Sequence, residues 1–542
     1  MKKILAIILS LALCGSIATG CKKGIDRNDP QKLEIYLYNA GYGYEWCEDL
    51  LEAFAQEPWV KEKYPELKTS FEKDELANRA QELMTANKKV NKYEIVMGTG
   101  LERTLGSDVP VVDLTEDVYE SEVPGEPGVK FKDKMIQSYL TSAAYIGKGA
   151  EDEKKYYQVN WASGMTGIIY NEDKLEALGF AVPNTSDELI AIMQGVKALN
   201  GGNPVYKETT SLATYGASSY VNYLYYTWWA QYQTVEEYIN FYNGIDSATE
   251  SRSPEIFHQE GRLKSLEALE TIMHRKNGLT WLNPNTGREA YRETQNRVLL
   301  GNALFMVNGD WADEELKTLR EGLIEQNGHA DTIKIMRTPI LSSIIDTLPR
   351  KSIKDDATLS KVVAAIDEGK TSYSGVEQAD FDMVLAARKV VYSIGPGHNA
   401  FIPEYASGKA VAIDFLRFLA TDRANEIYMR ATNGASLPFK YDVKAKNPDL
   451  FGNLAPLQQE RLNYFSAFDV NVLPSQASFP MVRFGGLGDM ASGSPIVEFT
   501  SGTSTPDGYD SLSEYLFERE YNYWNDNNRA NWNNCLANSG LQ

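Results

Sequence analysis

The chain has 542 residues, of which 43% are hydrophobic and 24% charged, and its formal net charge is −20. A chain of this length exceeds a single core, so about two to four domains are expected. The composition is that of a globular protein. The acidity excludes the basic surface that nucleic acid and anionic lipid heads require.

The N-terminus has the layout of an export signal. Lys2 and Lys3 precede an apolar run from Ile4 to Leu13, and small residues lead to Cys21. The run has about half of the ~20 residues that a membrane-spanning helix needs, so residues 1–20 are predicted to be a cleaved signal peptide. A cysteine after such a cleavage site resembles the bacterial lipobox, which implies lipid on Cys21 and a location on the extracytoplasmic face of the cell membrane. A plain secretory signal is the alternative.

The remaining N-terminal residues and the cysteines add two expectations. Residues 21–30 are polar and turn-rich, which is typical of a tether. With Cys14 in the signal and Cys21 carrying lipid, only Cys47 and Cys535 remain. Two free thiols are favoured over a disulfide between them, since two cysteines make no disulfide framework.

The first predicted elements alternate between strand and helix. Residues 32–39 alternate between polar and apolar side chains and are rich in β-formers, which predicts a strand. Residues 44–54 carry apolar side chains at helical spacing, after a glycine loop. A helix over 71–86 and a strand over 93–97 are predicted to follow. This order is typical of an α/β fold.

The middle of the chain continues the alternation. Residues 156–170 are predicted to form two strands around a glycine turn, and residues 171–179 a short helix. Thr185 and Glu188 have the spacing of a capping box. A helix is therefore predicted to begin there and to run to Leu199.

The second half contains an aromatic block and further elements. The aromatic block covers 218–233, and an amphipathic helix is predicted over 263–274. Strands are predicted within 301–311 and over 334–339, and a helix over 410–430. The last hundred residues show few strong periods.

Four patterns in this order resemble family 1 extracellular solute-binding proteins, the relatives of maltose-binding protein. They are the strand, glycine loop and aromatic helix at 38–54, the Tyr-Asn pair and helix start within 167–189, the Gly-x-Trp run at 301–311, and the helix with its following turn at 410–438. The resemblance implies an α/β fold of two lobes that close on a ligand about a hinge.

The resemblance also implies lobes that are discontinuous in sequence. Lobe one is expected to contain 31–145 and 393–437. Lobe two is expected to contain 146–392 and 438–542. The chain is longer than typical members of the family, so its cleft is expected to differ in detail from theirs.

The candidate ligand-binding residues are chosen by the chemistry of sugars. A sugar offers hydroxyls and apolar ring faces, so its site needs aromatic rings and planar hydrogen-bonding groups. The chain has 32 Tyr and 9 Trp against 19 Phe. Trp311 with Asp310 is the first candidate, because the resemblance implies a stacking tryptophan there. Trp161 with Asn160, near the expected crossover, is the second.

A third candidate group follows the first predicted strand. Tyr42 lies between two glycines, and Asn39 and Glu45 flank it, at a position where open α/β sheets bind ligands. Trp228 in the aromatic block is a further candidate. A packing role is the alternative for each of these aromatic rings. His398 is expected in a hinge loop without ligand contact.

The predicted function is the capture of a carbohydrate, an oligosaccharide, and its delivery to an ABC importer by a lipid-anchored monomer. No cofactor, metal ion or catalytic residue is expected, since the four histidines lack metal-ligand spacing and no phosphate loop or nucleophile elbow occurs. A surface glycan-degrading enzyme is one alternative, because 74 Asp and Glu residues leave room for a glycosidase pair. A receptor for a peptide or a cationic solute is the other, because a cation suits the acidic charge.

Overall fold

The computed structural model describes residues 28–85, 91–105, 110–149, 154–201, 210–215, 220–283, 290–467, 470–526 and 529–541. The predicted signal peptide, Cys21 and most of the tether lie outside these residues, so the lipid attachment stays a prediction. Within the described ranges, every helix is too short or too polar to cross a membrane.

The first of two five-stranded sheets joins distant parts of the sequence. Its strands, in spatial order, are Lys68–Asp74, Lys32–Tyr38, Ile95–Thr99, His398–Phe401 and Val159–Asn160. The first three are parallel, and His398–Phe401 is antiparallel to both of its neighbours. We call this sheet and the helices packed on it the first lobe.

The second sheet has the same plan. Its strands, in spatial order, are Thr280–Asn283, Thr210–Tyr215, Ala303–Gly309, Thr166–Asn171 and Ile333–Met336. Three strands are again parallel, and Thr166–Asn171 is antiparallel to both of its neighbours. Ala303–Gly309 and Thr166–Asn171 are buried at every residue, as expected for central strands of a covered sheet. This sheet is the centre of the second lobe.

Helices cover the sheets. Their bounds are Glu45–Gln56, Pro58–Lys63, Ala77–Thr85, Phe131–Lys134, Gln137–Ala143, Glu172–Ala177, Ser186–Leu199, Asn222–Gln233, Val235–Asn243, Glu260–Met273, Ala290–Leu299, Ala312–Asn327, Asp356–Asp367, Gln378–Arg388, Lys409–Phe418, Asp422–Ala431, Val443–Lys446, Pro448–Gly452, Pro456–Ala467, Pro480–Arg483, Pro495–Ser501, Leu512–Trp524 and Ala530–Ser539. Short additional strands are Ala144–Ile146, Lys154–Tyr156, Ile245–Asp246, Ser251–Arg252, Val390–Val391 and Asn471–Val472.

The chain passes between the sheets more than once. Residues 161–165 lead from the first sheet to the second, and residues 392–397 lead back. The chain later returns to the second lobe, where the helix Pro456–Ala467 packs on the strand Ile333–Met336. A bridge between Ser163 and Ser436 places two of these crossing segments side by side.

Three details differ from the sequence analysis. The strand Val159–Asn160 belongs to the first sheet, although the predicted boundary at 145 assigns it to lobe two. The predicted helix over 71–86 is wrong at its start, because Lys68–Asp74 pairs as an edge strand that is polar on both faces. The predicted helix over 410–430 is two helices, because Thr421 accepts a hydrogen bond from the Ala424 N–H and caps the second one.

The core is continuous across both lobes, and the additional segments enlarge it. Residues 340–387 contribute a small core of their own. The C-terminal helix Leu512–Trp524 packs on Glu260–Met273 in the second lobe. Cys47 and Cys535 are both buried and free, as the sequence favours.

Candidate functional site

A cavity of about 400 Å³ lies where the two lobes meet. Residues that follow parallel strands of both sheets line it, and such strand ends are where open α/β sheets bind ligands. The lining residues are Tyr38, Ala40, Thr99, Gly100, Glu102, Tyr220, Trp311, Glu315, Tyr392, Ser393, Ile394, Gly397, His398, Pro474, Ser475 and Gln476. Both lobes, a crossing segment and the C-terminal segment therefore contribute to one site.

Trp311 forms a wall of this cavity on the second lobe. Its indole lies over Gly309, where an added Cβ would be only 1.9 Å from a ring carbon. Its edge meets Tyr220, with ring centroids 5.7 Å apart. The glycine in the Gly-x-Trp run therefore allows the indole to fold back over the end of its strand.

A stack of four tyrosine rings continues the aromatic lining. Tyr220, Tyr223, Tyr392 and Tyr226 are stacked in that order, with centroid separations of 5.1, 5.2 and 5.0 Å. Tyr392 comes from a crossing segment, and the other three come from the aromatic block of the sequence. Tyr220 and Tyr392 are the members that reach the cavity.

Two carboxyl groups face the cavity from opposite lobes. Glu102, almost fully buried, accepts a hydrogen bond of 3.0 Å from the Ser475 hydroxyl. Glu315 accepts one from the Gln295 amide, yet burial raises the pKa of Glu315 to about 7. The sequence analysis missed both residues, since no local pattern distinguishes them among 74 acidic side chains.

His398 lines the cavity, contrary to the expectation of a hinge loop without a site. It begins a strand of the first sheet, and its ring stacks on Trp161 with centroids 4.9 Å apart. Burial lowers the pKa of His398 to about 3, so the imidazole is neutral. Neither ring nitrogen has a hydrogen-bond partner within the described part of the chain. Both ring nitrogens are themselves buried, so the imidazole packs behind the cavity surface with its polar atoms unpaired in the described structure.

The predicted pair Trp161 and Asn160 lies beneath the cavity rather than in its lining. Trp161 is fully buried between the rings of Trp46 and His398. The Asn160 amide donates a hydrogen bond of 2.8 Å to the Pro396 carbonyl. Both side chains hold the crossing segments in place and support His398.

The loop after the first strand also places its side chains differently from the prediction. Tyr42 is 2% exposed because it turns into the core. Asn39 accepts a hydrogen bond of 2.9 Å from the Gly43 N–H, and Glu45 accepts one of 3.0 Å from the Tyr44 N–H. These three residues shape the loop, and its neighbours Tyr38 and Ala40 line the cavity instead.

Asp310 and Trp228 are buried outside the cavity lining. Asp310 forms an ion pair with Arg461 at 3.1 Å, and burial raises the pKa of Asp310 to about 6. Trp228 donates its indole N–H to the Pro339 carbonyl at 2.9 Å. Asp310 supports the turn that carries Trp311, while Trp228 belongs to the core.

The two lobes contact each other at the edge of the cavity. Gly41 of the first lobe has a φ of +90°, and a Cβ added there would lie 3.1 Å from Trp311 and 3.4 Å from the Glu315 carboxyl. A larger residue at this position would push against the second lobe. The glycine therefore permits the close approach of the lobes.

A second cavity, of about 660 Å³, is larger but less suited to ligand capture by closure. Its lining comes mainly from helices and from the segment after Ser436, and includes Phe439, Lys440, Arg461 and Phe465. No strand end of either sheet opens into it among the described residues. We therefore assign the candidate site to the cavity between the strand ends.

Comparison with solved structures gives the fold. A chitin oligosaccharide binding protein matches with a TM-score of 0.54 and 15% identity over 92% of this chain and 99% of that one. Maltose-bound MalE3 of T. maritima matches with a TM-score of 0.53 and 12% identity over 91% and 99%. The GacH receptor of Streptomyces glaucescens matches with a TM-score of 0.52 and 12% identity over 91% and 97%. The chain has the two-lobed fold of periplasmic binding proteins.

The match with these solved structures confirms the predicted fold class. No protein family model matches the chain, and neither does any curated protein. In this two-lobed binding-protein fold, the cavity occupies the cleft between the lobes.

Within the described ranges, no group of three or more His, Cys, Asp or Glu residues is arranged to hold a metal ion.

Proposed function

We propose that the chain is an extracytoplasmic solute-binding protein that captures an oligosaccharide in the cleft and delivers it to an ABC importer. The observation that carries this proposal is the aromatic lining of the cavity, to which Trp311, Tyr220 and Tyr392 contribute. Flat rings beside polar groups match the apolar faces and hydroxyls of a sugar. The volume of about 400 Å³ is within the range of small-molecule sites.

The polar groups of the cavity support the same ligand class. Ser475 and Gln476 bring a hydroxyl and an amide to the lining, and Glu315 brings a carboxyl group. Such groups pair with sugar hydroxyls, and a site built to do so discriminates strongly among ligands. The neighbours in fold include proteins that bind a chitin oligosaccharide and maltose. They are binding proteins, which favours capture over cleavage here.

The anchor and the delivery step belong to the same proposal. A lipid on Cys21 would hold the two lobes close to the membrane, next to the permease that receives the sugar. Hinged lobes suit this task, because closure traps the ligand and opening releases it. A monomer with one cleft is sufficient for this cycle.

A titration of the mature protein tests the proposal. The protein without residues 1–21 is titrated with a panel of oligosaccharides while its tryptophan fluorescence is followed, and the sugar is analysed afterwards. We expect a saturable change and intact sugar. Shorter sugars after incubation would instead support a glycan-degrading enzyme. A response to peptides or cations, with none to any sugar, would contradict the carbohydrate assignment.

A further inference from the structure

The charged side chains in the described part of the cavity lining are acidic. The described residues that line it include two carboxylic side chains and neither lysine nor arginine. Glu102 lies on the first lobe and Glu315 on the second, so acidic groups face the ligand space from both sides. The imidazole of His398 is neutral and adds no positive charge.

The nearest positive groups lie outside the cavity lining. Arg483 interacts electrostatically with Glu102, and Arg292 with Glu315. Arg292 is exposed to solvent, which screens its charge. Both arginines lie outside the described lining of the cavity.

The surroundings of Glu315 make its ionised form costly. Gln295 and Arg292 approach it from the helix Ala290–Leu299, and Tyr38 and Gly41 approach it from the first lobe. The contacts with Gln295 and Arg292 favour the ionised carboxylate, but burial outweighs them and raises the pKa of Glu315 to about 7. A buried carboxylate is stabilised when a cation is placed beside it. Since the described residues of the cavity lining include neither lysine nor arginine, a cationic group of the ligand can supply this charge.

We propose that the ligand is an amine-bearing sugar whose ammonium group is held by the carboxylate of Glu315. This inference rests on the proposed function and names the class of carbohydrate. Ammonium groups form charge-assisted hydrogen bonds with carboxylates, while Trp311 and Tyr392 accept the apolar ring face. Uronic, sulfated and phosphorylated sugars would bring a like charge into the same space and are excluded.

Calorimetric titration with matched sugars tests the inference. Oligomers of glucosamine, of N-acetylglucosamine and of glucose share one backbone and differ only in the group at C2, and galactosamine and galactose give a second pair. We expect an amine-bearing sugar to bind at least about tenfold more tightly than its neutral counterpart. Equal or tighter binding of the neutral sugars would overturn the inference but leave the proposed function standing. No binding of any sugar would overturn both.

A variant separates the carboxylate effect from a general loss of binding. Glu315→Gln should remove about a factor of ten of the preference for the amine, with the neutral sugar affected less than about twofold. Glu314→Gln is the matched control, because Glu314 is the preceding residue of the same helix and lies outside the lining. An unchanged preference in Glu315→Gln would overturn the inference.

Proton release provides an independent readout. At about pH 6 the amine of the sugar is already largely protonated, so binding of its ammonium group beside Glu315 lowers the raised pKa of this residue and protons leave the protein. Titrations in two buffers of different ionisation enthalpy should therefore give different heats for the wild type and nearly equal heats for Glu315→Gln. Equal heats for the wild type would count against the inference.

Discussion

Trp311 and Gly309 together shape one wall of the cavity. The indole occupies the space that a Cβ at 309 would fill, so the ring lies across the end of its strand and faces the cleft. Trp311, which the Gly-x-Trp pattern singles out, lines the cavity, and its contact with a ligand stays a prediction. His398 lacks such a local pattern, because it reaches the cavity through the pairing of distant strands. Glu315 lies one helical turn after Trp311, and Glu102 follows a strand of the first sheet, but no local pattern distinguishes either from the other acidic residues.

Replacement of Trp311 by alanine should weaken sugar binding. The loss of a large aromatic contact corresponds to about 10- to 100-fold in affinity. Calorimetry with the best ligand of the panel measures this change, and Trp311→Phe should keep part of the affinity. The control is Trp59→Phe, whose ring is partly buried in the helix Pro58–Lys63 away from the cleft. An unchanged affinity in Trp311→Ala would show that Trp311 only packs.

His398 should make the protein sensitive to acid. Its pKa is depressed to about 3 in the folded chain, so the stability it contributes is present above the unfolded pKa of 6.5 and is lost as the pH falls toward 3. Between pH 6.5 and 5 the loss is about 2 kcal/mol.

Denaturant unfolding at several pH values measures this loss. His398→Gln should reduce the decline in the free energy of unfolding over that range. The exposed His329→Gln serves as the control and should retain the wild-type decline. An identical pH dependence in His398→Gln would refute the assignment of this sensitivity to His398.

At the scale of elements, the loop after the first strand explains why several predicted residues do not reach the ligand space. A strand followed by a glycine loop is visible in the sequence, but the direction of each side chain in the loop is not. The hydrogen bond from the Gly43 N–H to Asn39 tightens the turn, and Tyr42 consequently enters the core. Gly41 is left at the surface that meets the second lobe.

Gly41→Ala should impair closure of the lobes. The left-handed backbone at 41 is strained for alanine, and the new Cβ would press on Trp311. Backbone strain and displacement of Trp311 should together cost about 1–3 kcal/mol. We therefore expect sugar affinity to fall by about tenfold.

Gly43→Ala is the matched control for this contact. Gly43 has a φ of +74°, and a Cβ there would meet only the Glu45 side chain of its own lobe. Both variants should lose similar stability in thermal unfolding, but only Gly41→Ala should lose affinity. Equal losses of affinity would mean that strain in the loop, and not the contact between the lobes, governs binding.

At the scale of the whole molecule, the sequence predicts the fold better than the site. Alternating periodicities predict the α/β class, since they depend on local hydrophobic spacing, and the resemblance to solute-binding proteins implies the two lobes. The placement of Val159–Asn160 in the first sheet depends on its pairing with His398–Phe401, more than two hundred residues away. The C-terminal segment, which brings Ser475 and Gln476 into the cleft, shows little periodicity, so its contribution to the site could not be predicted.

Replacement of Cys21 by serine should release the whole protein from the membrane. Serine provides no sulfur for lipid attachment, while the two-lobed body remains intact. Fractionation of cells that produce the wild type and Cys21→Ser measures this change. Sugar affinity should be equal in the two proteins. Membrane retention of Cys21→Ser would contradict the lipid anchor but leave the binding site unaffected.

The central claim is that a carbohydrate binds in the cleft between the lobes, and a crystal structure of the complex with the tightest ligand of the panel tests it most directly. We predict difference density in the cavity of about 400 Å³, with a sugar ring against Trp311 and a polar contact to Glu315. Density in the larger cavity beside Lys440 and Phe465, with the cleft empty, would contradict the account.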